Sequence, residues 1–280
     1  MTTLLLLALL LQDSELDVGG KTRSYILHVG KDAKKPMPLV ISLHGLGGDA
    51  RIQQGLCGFD ALADKHGFAV AYPSGLQRMW RFWAPEDDFA FLKAIIDAHA
   101  KDGTVDERRV YVCGISNGSL MAHKAALDLA DRVAAIGCVA ATLPKAMTER
   151  SKPPRPMPVI MFHGTEDKLM GYEGGAFGRT REVMLPVEEQ ARWWAKANGC
   201  AETPKVEALD DKESDGTTIE RWTFEGDAPV VHYKVTGGGH TWPGGPKVQE
   251  GKLGKVTRDI NASELMWEFF SKHALPEKTK

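Results

Sequence analysis

Short runs rich in Val and Ile alternate along this chain with longer amphipathic stretches, and that alternation restricts the fold more than any other feature. "PLVISLHG" (38–45), "FAVAYP" (68–73), "RVYVCGIS" (109–116), "AAIGCVAA" (134–141), "PVIMFHG" (158–164) and "VVHYKVTG" (230–237) read as strands. Near-continuous apolar runs of this length belong to a sheet that is covered on both faces. Segments 50–65, 88–100, 117–130, 186–197 and 262–273 read as helices, the last opening at Asn261 with Glu264 three residues on, as in a capping box. "SYILHV" (24–29), preceded by the Gly19-Gly20 turn signal, reads as half of an N-terminal hairpin. Strands and helices in this alternation predict an α/β fold with one open, mostly parallel central sheet and helices on both faces. "PKAMTERSKPPRPMP" (144–158) and "PGGPKVQEGKLGKVTRD" (243–259) read as surface loops rather than linkers, so a single domain over 14–275 is expected.

Charge narrows the partners. The 35 basic and 37 acidic residues are spread along the chain, for a formal charge of −2, and leave no basic field for nucleic acid or an anionic membrane. The apolar run Leu4–Leu11 is too short to span a bilayer as a helix, so no stable membrane insertion is expected. It has the length of a secretion signal, although no Lys or Arg precedes it and no small-x-small site follows. Residues 1–13 therefore read as a signal peptide, giving a secreted or periplasmic protein, or as a disordered N-terminus; a misassigned start and a buried strand are the remaining readings. Cys113 and Cys138 sit inside apolar runs and read as core, while Cys57 and Cys200 look free to pair. There is no CxxC and no metal-ligand spacing, and neither a metal nor a cofactor is expected.

Where the strand 109–114 meets the helix 117–130, the chain reads Gly114-Ile115-Ser116-Asn117-Gly118. Glycine is a poor residue for either element, so two of them flanking a serine call for a reason. A sharp strand-to-helix turn supplies it, because side chains two residues to either side of the serine would strike the neighbouring strand and helix. The pattern G-x-S-x-G is a nucleophile elbow, lifting the hydroxyl of Ser116 above the carboxyl edge of the sheet. The amides opening the following helix favour negative charge at the same place.

A serine hydroxyl is a weak nucleophile near neutral pH and needs a base that is itself oriented by a carboxylate. In such a sheet the acid and the histidine follow the serine in chain order, each beyond a later strand. Asp167 lies in the loop after "VIMFHG", and His240 follows the last strand after three glycines. Glu166 is one residue off, His163 is nearer the buried strand end, and His123 and His66 lie on helices away from the rim. Ser116, Asp167 and His240 are thus the expected catalytic triad. An oxyanion hole would use the backbone amides of Asn117 and of Leu46, the latter in the glycine-rich "HGLGGD" (44–49). His44 in that loop reads as bonded to backbone rather than as a base.

With those residues in place, the chain resembles the polyhydroxybutyrate depolymerase-like or LpqC-like esterases, relatives of the feruloyl and acetyl xylan esterases of carbohydrate esterase family 1. "HGLGGD", "YPSG", "DDFAFLKAIID", "RVYVCGISNGSLMAHKAA", "DRVAAIGCVAATLP", "HGTEDKLMGYEGG", "WWAKANGC" and "VTGGGHTWPGG" carry the resemblance, from about 38 to 273. It implies the α/β-hydrolase fold, ester hydrolysis without a cofactor, and a triad at Ser116, Asp167 and His240. Two departures stand out. "LQRMWRFWAPED" is short and lacks the cysteines often found there, and "FEGDAPVV" offers no partner to Cys200 for the disulfide common in relatives.

Trp80, Trp83, Tyr172 and Trp242 fall on loops expected around Ser116, with Trp80 and Trp242 the first choices for substrate contact; Trp193, Trp194, Trp222 and Trp267 read as core. The leading expectation is a secreted serine carboxylesterase working through an acyl-enzyme, with feruloyl or acetyl esters on plant polysaccharide as first substrates. Hydrolysis of polyhydroxyalkanoate or its oligomers is the alternative, placed second because only a charged tail follows residue 273, where degraders of that polymer commonly append a binding module. A hydrolase-fold binding protein with an idle site, a transferase using an alcohol in place of water, and a peptidase are weaker readings. The partner expected is a small or polymeric ester.

Overall fold

A computed structural model describes residues 12–177, 182–247 and 251–277. The expected secretion signal falls on residues outside this set, apart from 12 and 13. In chain order the elements are β1 (Gln12–Val18), β2 (Lys21–Val29), β3 (Met37–Leu43), α1 (Ala50–Cys57), α2 (Phe59–His66), β4 (Ala69–Pro73), α3 (Glu86–Lys101), β5 (Val105–Ile115), α4 (Asn117–Asp128) and β6 (Ala135–Val139). Then come α5 (Lys145–Arg150), β7 (Val159–Gly164), β8 (Gly175–Phe177), β9 (Glu182–Met184), α6 (Val187–Asn198), β10 (Lys205–Ala208), β11 (Thr218–Phe224), β12 (Val230–Thr236) and α7 (Ala262–Phe270).

Ten strands form one sheet in the order β1-β2-β4-β3-β5-β6-β7-β12-β11-β10. The six from β4 to β12 run parallel, and an antiparallel pair closes each edge. The strand period of two divides the apolar residues between the faces. On β3, Leu39, Ile41 and Leu43 join one core, while Val40 joins the other; on β5, Val110 and Val112 oppose Tyr111, Cys113 and Ile115. Helices α3, α4 and α6 cover the first face, and α1, α2 and α7 the second. The central strands β3, β4, β6 and β7 are buried along their whole length because neither face of the sheet meets water there.

The structure differs from the sequence expectation at particular elements. The helix expected over 50–65 is two, because Gly58 adopts φ 67° and its amide closes α1 on the carbonyl of Gln54. The stretch expected as a loop at 144–158 contains the short helix α5, which stops before the prolines at 153 and 154. Strands β10 and β11 extend the sheet beyond β12; β10 buries none of its residues and β11 only Ile219, Trp222 and Phe224, so no continuous apolar run marks them. Asn261 does cap α7, its side chain accepting from the amides of Ser263 and Glu264. Cys113 and Cys138 are core, and Cys57 is buried as well, so it is not available to Cys200; all four cysteines are free thiols. No helix among the described residues is long and apolar enough to cross a membrane.

Candidate active site

β5 ends at Ile115 and α4 begins at Asn117, leaving Ser116 alone to make the turn. It does so at φ 56°, ψ −120°, a conformation that costs a non-glycine residue about 1–3 kcal/mol and persists only when its surroundings impose it. They do: the Ser116 amide donates to Val139 of β6, and its carbonyl accepts from Leu120. The flanking glycines are steric necessities. A Cβ on Gly118 would lie 2.4 Å from the Leu43 carbonyl oxygen, and one on Gly114 would lie 2.7 Å from the backbone of Gly118. Gly118→Ala should therefore destabilise the protein by about 3 kcal/mol, the upper end for overpacking, read as a lower urea midpoint at unchanged slope.

The loop after β3 runs beside the serine: a Cβ placed on Gly45 would be 3.5 Å from that of Ser116. His44 fixes this loop with both ring nitrogens, Nδ1–H donating to Gly45 O at 2.7 Å and Nε2 accepting from the Gly75 amide at 2.9 Å. Burial lowers the pKa of His44, which keeps the ring neutral for these two bonds. Arg78 adds an Nε–H to Gly47 O and an ion pair to Asp49. The backbone of residues 45–48 is thus held rigidly next to Ser116, as preplaced amides require.

On the other side, Gly238 and Gly239 let the loop after β12 press onto its neighbours; a Cβ on Gly239 would stand 2.1 Å from the Leu253 carbonyl oxygen. The His240 amide donates to that carbonyl, and Thr241 Oγ1 to Lys255 O, so residues 239–241 are strapped to 253–255. His240 Nδ1–H donates to Asp167 Oδ2 at 2.7 Å. Asp167 Oδ1 accepts from the amides of Leu169 and Met170, each at 2.8 Å. A second imidazole, His163, places Nε2 3.3 Å from the same Oδ2 while donating to Met170 O at 2.7 Å. Burial opposes the charge on Asp167, but the bonds from His163 and His240 outweigh it and hold the carboxyl well below the usual carboxylate range. An ionised Asp167 fixes the proton of His240 on Nδ1 and leaves Nε2 as the basic nitrogen.

Ser116 and His240 line one cavity of about 640 Å3, together with Gly45–Gly48, the Ile52, Gly55 and Leu56 face of α1, and Leu169, Met170 and Phe177 opposite. No hydrogen bond joins Ser116 to His240 among the described residues. Such bonds are often long in unliganded enzymes and close when substrate arrives. Among the described residues no group of three or more His, Cys, Asp or Glu is gathered as a metal site.

Two expected substrate contacts are corrected. Trp80 is 0% exposed, its indole N–H donating to His44 O and its ring 5.0 Å from the His44 ring. Asn117 clamps its backbone at both polar atoms, Oδ1 accepting the Trp80 amide and Nδ2 donating to its carbonyl. Trp242 is 1% exposed, bonded to Ser263 Oγ and packed edge-on against Phe59. Both indoles face inward because the interior offers their N–H an acceptor, and neither reaches the cavity. Tyr172 is likewise buried, while Trp83 is exposed. Sequence reasoning missed the His163 bond to Asp167, the Asn117 clamp and the α1 wall. The strand-end position of His163 in "FHGTED" was a usable signal; nothing marked the other two.

Comparisons with known proteins show the family and the fold. The family model described as Esterase PHB depolymerase matches residues 23–148. NocK of Nocardia uniformis subsp. tsuyamanensis, named as an esterase, is 30% identical, the alignment covering 91% of this chain and 81% of that protein. Feruloyl esterase B of Piromyces equi is 28% identical over 88% of this chain, which spans only 44% of that relative's length. Among solved structures, the acetyl xylan esterase from Aspergillus awamori superposes with a TM-score of 0.67 at 16% identity, covering 93% of this chain and 98% of that one. At that identity the likeness is one of fold.

Proposed function

This chain is an α/β hydrolase of the esterase PHB depolymerase family, and from that premise we propose a serine carboxylesterase in which Ser116, His240 and Asp167 form the catalytic triad. The observation that carries the reading is the 2.7 Å bond from His240 to an ionised, buried Asp167, with His240 lining the same cavity as a serine on a strained elbow. Ser116 Oγ attacks the ester carbonyl as His240 Nε2 takes its proton. The oxyanion is met by the backbone amides of Asn117 and Leu46. The alcohol departs with the proton from His240; water, deprotonated by the same nitrogen, then releases the acid and restores Ser116.

Relatives named for feruloyl and acetylxylan ester cleavage support esters on plant polysaccharide as the substrate class. Polyhydroxyalkanoate oligomers are the second reading, favoured by the family's description and the apolar walls of the cavity. Export belongs to the same proposal, since a polymeric ester is too large to enter a cell. A fluorophosphonate should label the protein once, on the peptide carrying Ser116; an unlabelled wild type would leave only the binding-protein reading. A panel of methyl ferulate, acetylated xylan and short polyhydroxybutyrate oligomers should then separate the substrates. Turnover of small soluble esters alone would overturn both the polymer class and export.

A further inference from the structure

Gly55 lies inside α1, an eight-residue helix, where glycine is the poorest residue after proline. Most other glycines among the described residues either would put a Cβ into collision or adopt a positive φ, but Gly55 is helical and a Cβ there would meet nothing within 4 Å. No packing therefore demands it, and the space a side chain would fill is the cavity beside Ser116. Ile52, three residues before Gly55, and Leu56, the residue after it, line the same cavity, so the three together make one wall. Ile52 is 51% exposed, and Leu46, Leu169 and Phe177, which line the same cavity, are also exposed. Four of the seven large apolar side chains exposed among the described residues thus line this one cavity, a concentration that marks a binding surface rather than scattered surface apolarity.

We propose that this wall is the acyl-chain subsite and that Gly55 sets its length, so that the enzyme prefers extended apolar acyl groups of four or more carbons over acetyl. The proposal rests on the esterase reading above. The carbonyl oxygen is held by the loop 45–48, and α1 continues directly from that loop at Asp49, so the acyl substituent has Ile52, Gly55 and Leu56 beside it. The described walls offer an acyl chain apolar surface; the polar groups there are Ser116, His240 and the backbone of the glycine loop.

The test is the p-nitrophenyl ester series from acetate to octanoate, with kcat/KM measured for wild type, Gly55→Ala and Gly55→Leu. Wild type should gain about fourfold per added methylene until the subsite is full, the factor expected for burying one CH2. Gly55→Leu should cut the hexanoate-to-acetate ratio at least tenfold, with Gly55→Ala intermediate. Gly55→Ala should also melt about 2 °C higher, as a helix-interior glycine replaced without strain, which excludes misfolding as the cause of a changed ratio. A flat wild-type series, or a ratio unmoved by Gly55→Leu, overturns the inference while leaving the esterase intact. Failure of wild type to hydrolyse any member would instead remove the esterase reading. A parallel series of alkyl acetates must not respond to Gly55→Leu in the same way; if it alone responds, the subsite holds the alcohol and the acyl assignment is wrong.

Discussion

Ser116→Ala is expected to lower kcat on p-nitrophenyl acetate by roughly 10^4–10^6-fold, the range seen when a serine hydrolase loses its nucleophile. Nothing else at the site should change. Alanine keeps the Cβ that already sits at φ 56°, so the backbone strain of the turn is the same before and after, and the Val139 and Leu120 bonds to this residue are made by its backbone. Circular dichroism and the melting temperature should therefore match wild type. Any residual rate comes from the preplaced amides and from binding, which do not need the hydroxyl. A variant that keeps more than about one per cent of wild-type kcat would remove Ser116 from the chemistry, whatever the geometry around it.

Asp167→Asn should cost about 10^4-fold in kcat near neutral pH. The amide is nearly the same size, and its oxygen can still accept from Leu169 and Met170. What it cannot do is hold a negative charge against His240. An amide NH2 facing Nδ1 would place the imidazole proton on Nε2, the nitrogen that has to receive the serine proton. The same substitution has a stability signature. The folded carboxyl titrates below its unfolded value of about 3.9, so its contribution is fully present above that pH and is lost as pH falls through the folded value. Wild type should lose stability as acid is added below about pH 4, and Asp167→Asn, lacking that proton, should lose less over the same range. Urea midpoints at pH 7, 4 and 3 for both proteins measure the difference. Parallel curves would mean that the two imidazoles contribute little to the folded carboxylate.

His163 gives this prediction a further dimension, because two rings share one carboxylate oxygen. The 2.7 Å bond goes to His240, while His163 lies at 3.3 Å and has a shorter bond to Met170 O. His163 therefore reads as the residue that shapes the 167–170 turn, with His240 the functional partner.

Much of this was legible in the chain. The parallel strands announced themselves because burial on both faces demands near-continuous apolar runs, and β3, β6, β7 and the Val110–Ile115 half of β5 show it. Gly114 and Gly118 pointed to a sharp turn because only a steric conflict justifies glycine at a strand end and in a helix's first turn. Asp167 and His240 were found by their places after β7 and β12. β10 and β11 were missed, since an antiparallel edge pair with one wet face has no comparable run.

What the sequence determined, then, was the order of strands and helices, the serine elbow and the two loops that bring Asp167 and His240 together, all consequences of local sterics and of the period of burial. Which way an indole turns was decided only in three dimensions. Trp80 and Trp242 lie on loops near the serine, as their positions implied, but a carbonyl at His44 and a hydroxyl at Ser263 wait for their N–H groups in the interior. The open side of α1 at Gly55 is equally invisible in one dimension, because it consists of space that no neighbouring atom occupies. Local chemistry is carried by adjacent residues; the choice of acceptor and the shape of a cavity depend on residues brought together from distant parts of the chain.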